Sequence, residues 1–145
     1  MAVTITPYDH TAARILSGAD AVGDSYKINL YTVLPANATA TTKTAAESGA
    51  TQVATANGYT QDTKTLSGVT VTTVTTNDAK FDADDVTWTA SGGSIAAAYA
   101  MIYNDTDTDD PPMFRIDFGA TVTAPDGVAF VITWNASGIA TLTVA

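Results

Sequence analysis

Residues 114–144 read FRIDFGATVTAPDGVAFVITWNASGIATLTV, and the spacing of their apolar side chains decides the fold class. Phe114, Ile116 and Phe118 alternate with Arg115 and Asp117. Val128, Phe130, Ile132 and Trp134 alternate with Ala129, Val131 and Thr133, and Ala140, Leu142 and Val144 alternate with two threonines. A period of two sends successive side chains to opposite faces of an extended strand, so each run has one apolar face for a core. Pro125-Asp126-Gly127 and Ala136-Ser137-Gly138 supply the turns between them. On this pattern Trp134 belongs to the core.

The same reading extends toward the N-terminus. Tyr26, Ile28 and Leu30 alternate with Lys27, Asn29 and Tyr31 as a half-buried strand that Pro35 stops. Asn57-Gly58 marks a tight turn, followed by strands over Leu66–Thr76 and Lys80–Thr89. Phe81, Ala83, Val86 and Trp88 share one face only if the strand bulges near Asp84-Asp85. Ile95–Tyr103 (IAAAYAMIY) is rich in alanine, but a Gly pair and an Asn-Asp pair bound it to nine residues. That length favours a strand buried on both faces over a helix. One short helix is expected at AARIL, capped by Asp9, His10 or Thr11 and ended by Gly18. Ala36–Gln52 holds mainly Ala, Thr, Ser and Gly and reads as a flexible arm or loop, although Thr44 to Glu47 matches a capping box that starts a helical turn. The sum is an all-β chain: residues 1–145 as one antiparallel β-sandwich or jelly roll of about eight strands with one short N-terminal helix.

Composition supports this and narrows function. Threonine and aspartate dominate the polar residues, and both suit strands and turns better than helices. The 145 residues carry a net charge of −9 with only six scattered Lys and Arg, which argues against nucleic-acid binding because no basic patch exists to displace phosphate counterions. There is no cysteine, hence neither a disulfide nor a thiolate metal site. No apolar run approaches the roughly 20 residues of a membrane span.

Motifs for chemistry are weak. His10 is the single histidine, so a serine nucleophile would depend on it for its base, and no Gly-x-Ser-x-Gly elbow occurs. Asp82, Asp84 and Asp85 could pair as glycosidase carboxylates, but an acidic strand edge explains them as well. Gly92-Gly93 lacks the spacing and lysine of a phosphate loop. Asn37, Asn104 and Asn135 each begin an Asn-x-Ser/Thr triplet, a pattern that arises by chance at this threonine content. Nothing asks for a cofactor. The densest cluster is Asn104–Pro112 (NDTDTDDPP), where Asp105, Asp107 and Asp109 have the first half of a calcium-loop rhythm. Its second half fails, because Asp110 stands where glycine is needed and Ile116 where a bidentate glutamate belongs, so a solvated interstrand loop is expected. Tyr59, Trp88 and Trp134 would serve as stacking platforms if the domain bound sugars.

ANGYT (56–60), the block 66–106 running from LSGVTVTTVTT to AMIYNDT, IDFG (116–119), WNASGIATLTVA (134–145), YDHT (8–11) and GDSYKINLYT (23–32) together resemble small structural proteins of tailed-bacteriophage particles. The resemblance covers most of the chain. It implies a capsid decoration, or cement, protein that bridges major capsid subunits. Such a protein would be made in the host bacterial cytoplasm and placed on the virion surface. Shell sites of three-fold symmetry would favour a homotrimer. It implies no catalytic residue, no cofactor, and no nucleic-acid or membrane partner. Attachment to a fibre or tail is the nearest alternative, and a carbohydrate-binding β-module stays open. The arm that orders on docking would be Ala36–Gln52 or Met1–Pro7.

Overall fold

The computed structural model describes residues 3–75 and 78–143. Ten strands and two short helices follow in the order β1 (Thr4–Pro7), α1 (Thr11–Ser17), β2 (Tyr26–Val33), α2 (Lys43–Ala46), β3 (Thr51–Gln52), β4 (Thr70–Thr75), β5 (Asp78–Asp82), β6 (Val86–Thr89), β7 (Ile95–Asn104), β8 (Pro112–Ala124), β9 (Ala129–Ile132) and β10 (Ala140–Leu142). All pairings are antiparallel. One sheet has the order β1-β8-β7-β2-β3, and two smaller ones have the orders β10-β5-β4 and β6-β9.

The core lies between the large sheet and the two small ones, which makes the fold an all-β sandwich. Tyr26, Ile28 and Leu30 of β2, Ala100 and Ile102 of β7, and Phe114, Ile116 and Phe118 of β8 meet Phe81, Val86, Trp88, Phe130 and Ile132 from the small sheets. Ring contacts bridge the layers: Tyr26 meets Phe81 edge-on at 5.4 Å, Phe81 meets Phe114 at 5.7 Å, and Phe118 meets Phe130 at 6.0 Å. Such pairs add to the area they bury, because ring edges and faces carry opposite partial charge.

Several expectations need correction. β2 is not half-buried, because Asn29 and Tyr31 are as inaccessible as the inner residues. Asn29 is engaged by Asp62, residues 51–52 join the sheet as β3, and the segment 36–50 packs over Tyr31 on the outer face of the large sheet and does not stand off as an arm. Its Ala40 and Ala46 join Tyr8, Tyr31, Met101 and Tyr103 in a second apolar cluster. Small side chains let the backbone lie close to the tyrosines. The helical turn in this segment starts at Thr42, two residues before the capping-box match, with the Thr42 hydroxyl accepting from the Ala45 amide at 3.1 Å. Nor is Met1–Pro7 an arm over its described part, since β1 pairs with β8 from Thr4↔Asp117 to Pro7↔Phe114. Residues 1 and 2 lie outside the described residues, as does Val144.

Phe81, Val86 and Trp88 do face one core, with Ala83 packed against it. The cause is a break at 83–85 that carries the chain from one small sheet to the other, in place of a bulge within one strand. Trp134 lies past the end of β9 and is half-buried, and Val128, which precedes that strand, is exposed. The strand assignment of Ile95–Tyr103 is correct, and its second half is covered on both faces, with Ala100 to Tyr103 at 0 to 1% exposure. Helix α1 ends at Gly18 in the left-handed region, φ 76°, as a glycine terminus should. His10 precedes it without a side-chain capping bond.

Candidate functional site

The acidic stretch is the connection between β7 and β8, and three elements tie it down. Lys27 of β2 reaches Asp105 at 2.7 Å, and Arg14 of α1 reaches Asp107 at 3.0 Å. Beneath them Asn104, 1% exposed, donates from Nδ2 to Asp20 Oδ1 at 2.8 Å and Asp24 Oδ2 at 2.9 Å, while its Oδ1 accepts from the Thr106 amide. Arg14 also holds Asp20 through two nitrogens, at 3.0 and 2.9 Å. Asp105 and Asp107 are therefore spent on separate cations and are not held together for one ion. Among the described residues no three of His, Asp or Glu are grouped to hold a metal. Asp110, with φ 46°, has its carboxyl held above the ordinary range by burial and by the neighbouring Asp105.

A second polar cluster was not foreseen. Asp62, at φ 59°, accepts from Asn29 Nδ2, from Lys43 Nζ at 3.0 Å and from Tyr103 Oη at 3.3 Å. Lys43 also reaches Glu47 at 3.1 Å, and Glu47 accepts from Tyr31 Oη at 2.6 Å. Burial works against the Asp62 carboxylate, yet the bonds from Asn29 and Lys43 keep its pKa below the usual range. Burial likewise opposes the Lys43 ammonium, and its two carboxylate partners still raise its pKa. Burial first, and Glu47 second, pushes the Tyr31 hydroxyl far up, so it stays a neutral donor. The network pins α2 and the loop at 62 onto β2 and β7. Its two carboxylates share one ammonium and are otherwise satisfied by the neutral donors Asn29, Tyr31 and Tyr103, which suits a structural tie more than proton transfer. Asn29, a polar residue inside an apolar strand, was the one local signal of it.

The other candidates are dispersed. His10 has both ring nitrogens shielded from solvent and without a partner of hydrogen-bond geometry. Burial and then the nearby Arg14 lower its pKa. Asp82 pairs with Lys80 at 2.8 Å, Asp84 accepts from Ser67 at 3.0 Å, and Asp85 accepts from the Trp134 amide at 3.1 Å. Each carboxylate is thus engaged in its own local contact, across the break between two sheets. Asn57 and Gly58 form the expected turn at φ 54° and 85°, and Ala56 and Tyr59 exchange both backbone bonds.

The three sugar-platform rings do not form an exposed row. Tyr59 is 1% and Trp88 6% exposed, and Tyr59 Oη accepts from the Leu30 amide at 3.0 Å. Trp134 donates from Nε1 to the Asp84 carbonyl at 2.9 Å and walls an open apolar groove of about 680 Å³ with Ile5, Phe118, Val122 and Phe130. A smaller groove of about 340 Å³ opens between α1 and the sheet β10-β5-β4, with Ile15, Leu16, Val71 and Phe81 on its walls. Leu16 at its lip is 72% exposed. Comparison with family models, with curated proteins and with solved structures finds no match to this chain.

Proposed function

We propose that the protein is a structural component of a tailed-phage particle, and specifically a capsid decoration protein that bridges and stabilises major capsid subunits. The reading rests on the resemblance in its sequence, and one structural observation favours it over the sugar-binding alternative. Tyr59 and Trp88 point into the sandwich, so of the three candidate rings Trp134 alone reaches the surface, and the row of exposed rings that carbohydrate recognition favours is not formed by them. A net charge of −9 keeps an all-β domain from aggregating before it docks, which suits a protein added to a finished shell. Three-fold shell sites favour three copies at each position.

The test is co-sedimentation with purified phage shells that lack the protein. Saturable binding in a fixed ratio to the major capsid protein, with a rise in shell melting temperature, is the expected result. Recovery on tails or fibres alone would move the role to the nearest alternative. Retention on a glycan array with no shell binding would replace it.

A further inference from the structure

We infer that β4 is a self-association edge, along which two copies of this chain pair antiparallel about a two-fold axis. β4 (TVTTVT) has β5 as its partner on one side alone. Its other side therefore presents a row of backbone N–H and C=O groups, which is a template for a further strand. Residues 70–74 are exposed on both faces of the ribbon, Val71 and Val74 at 46% each.

Edges of soluble sheets are normally guarded by charge, proline or brevity. The other strands that lie at an edge over their whole length follow that rule, and β8, which β1 leaves open beyond Asp117, is broken there by a bulge containing Gly119 at φ 76°. β1 has four residues and ends in Pro7, β3 has two, β10 has three, and β6 has four with Asp84 and Asp85 just ahead of it. β9, at four residues, is also short. β4 is the longest of these edges, with six residues and no charge or proline. Its ladder to β5 is irregular only near the hairpin end, between Thr73 and Thr75.

Charge decides the occupant. Two copies at −9 each repel wherever aspartates would face one another, and β4 lets them approach along six uncharged positions. Lys80 and Asp82 on the neighbouring β5 already neutralise each other. A basic partner would find no carboxylate on this strand to recognise. Residues directly opposed in an antiparallel pair share a face, so the two-fold axis must pass beside a residue opposed to its own equivalent. Centred on Thr72, the register sets Val71 against Thr73 and Thr70 against Val74. Centred on Thr73, it sets Thr72 against Val74. Both registers oppose β-branched side chains throughout, which are favourable cross-strand neighbours. The pair is isologous, so the free protein forms a dimer whether or not the phage role holds, and three-fold closure becomes a property of the shell. A contact of this length falls below the roughly 1,000 Å² of a stable interface, so the dissociation constant should be on the order of 10 to 1,000 μM.

Sedimentation equilibrium from about 10 μM to about 1 mM should show monomer passing to dimer. Thr72→Lys combined with Thr73→Lys should weaken the dimer at least about tenfold while leaving the circular dichroism unchanged, because lysines then approach lysines. The chain has no cysteine of its own, so crosslinking is clean. Of Thr72→Cys and Thr73→Cys, one should form a disulfide dimer under mild oxidation much faster than Val131→Cys, whose valine is equally exposed on β9. A monomer at every concentration overturns the inference. So does association that ignores the lysines, or crosslinking no faster at 72 and 73 than at 131.

Discussion

Replacing Asn104 by aspartate changes one atom's chemistry and almost no volume, so any loss of stability is electrostatic. The side-chain nitrogen of Asn104 donates to Asp20 and Asp24, and the Asp20 side chain is fully buried. Asn104→Asp removes both donations and sets a third carboxyl against two others. Hydrogen bonds to charged acceptors contribute about 1.5–3 kcal/mol each, and repulsion adds to their loss. Arg14 stays bound to Asp20 and offsets part of this, which leaves an expected cost of about 4 kcal/mol near neutral pH. That is a large share of the roughly 5–15 kcal/mol of a typical domain. The introduced carboxyl has acidic neighbours, so its folded pKa lies above its unfolded one. Its proton is kept to higher pH in the folded state, and the variant's stability falls as pH rises through that range. The deficit against the parent chain must then shrink on acidification toward about pH 4. Urea unfolding at the two pH values measures it. A deficit under about 1 kcal/mol at neutral pH, or one equal at both, refutes the assignment of Asn104 as the donor that holds this corner together.

Further outcomes are expected elsewhere. His10 has a folded pKa below its ordinary 6.5, so the unfolded chain binds more protons below that value and stability drops as pH falls through it; His10→Gln should flatten this part of the stability–pH curve in denaturant titrations. Millimolar calcium should move the melting temperature by no more than about 2 °C, because Lys27 and Arg14 already occupy Asp105 and Asp107; a larger shift, lost in Asp107→Asn with Asp109→Asn, would show metal binding. Gly58→Ala should cost about 2 kcal/mol or more in thermal unfolding, since the residue sits at φ 85° and an added Cβ would strike the Thr89 carbonyl oxygen. Trp88→Ala should cost about 3–5 kcal/mol by the same measurement, as its ring packs between Tyr59 and Phe130 in the core.

Local spacing was enough to mark Phe114–Phe118 and Phe130–Ile132 as strands with one apolar face, Asn57-Gly58 as a tight turn and Gly18 as a helix end, because each depends on the period of a strand or on one residue's own φ preference. Whether an opposite face is wet depends on what arrives from far along the chain. Lys27, Asn29 and Tyr31 look like a solvent face until Asp105, Asp62 and the segment 36–50 respectively meet them, and the alanines of that segment carry too little apolar surface to announce that they pack. The Asp62–Lys43–Asn29 network joins positions 33 residues apart, so no window along the chain contains it. The acidic run near Asp105 was conspicuous as composition, but its partners sit on α1 and β2 and only the folded arrangement supplies them. The uncharged TVTTVT strand could be read as a strand from its residues alone. That it lies at an edge, open to a second copy, follows only from the order β10-β5-β4, since strand order is set by which pairings close the sandwich.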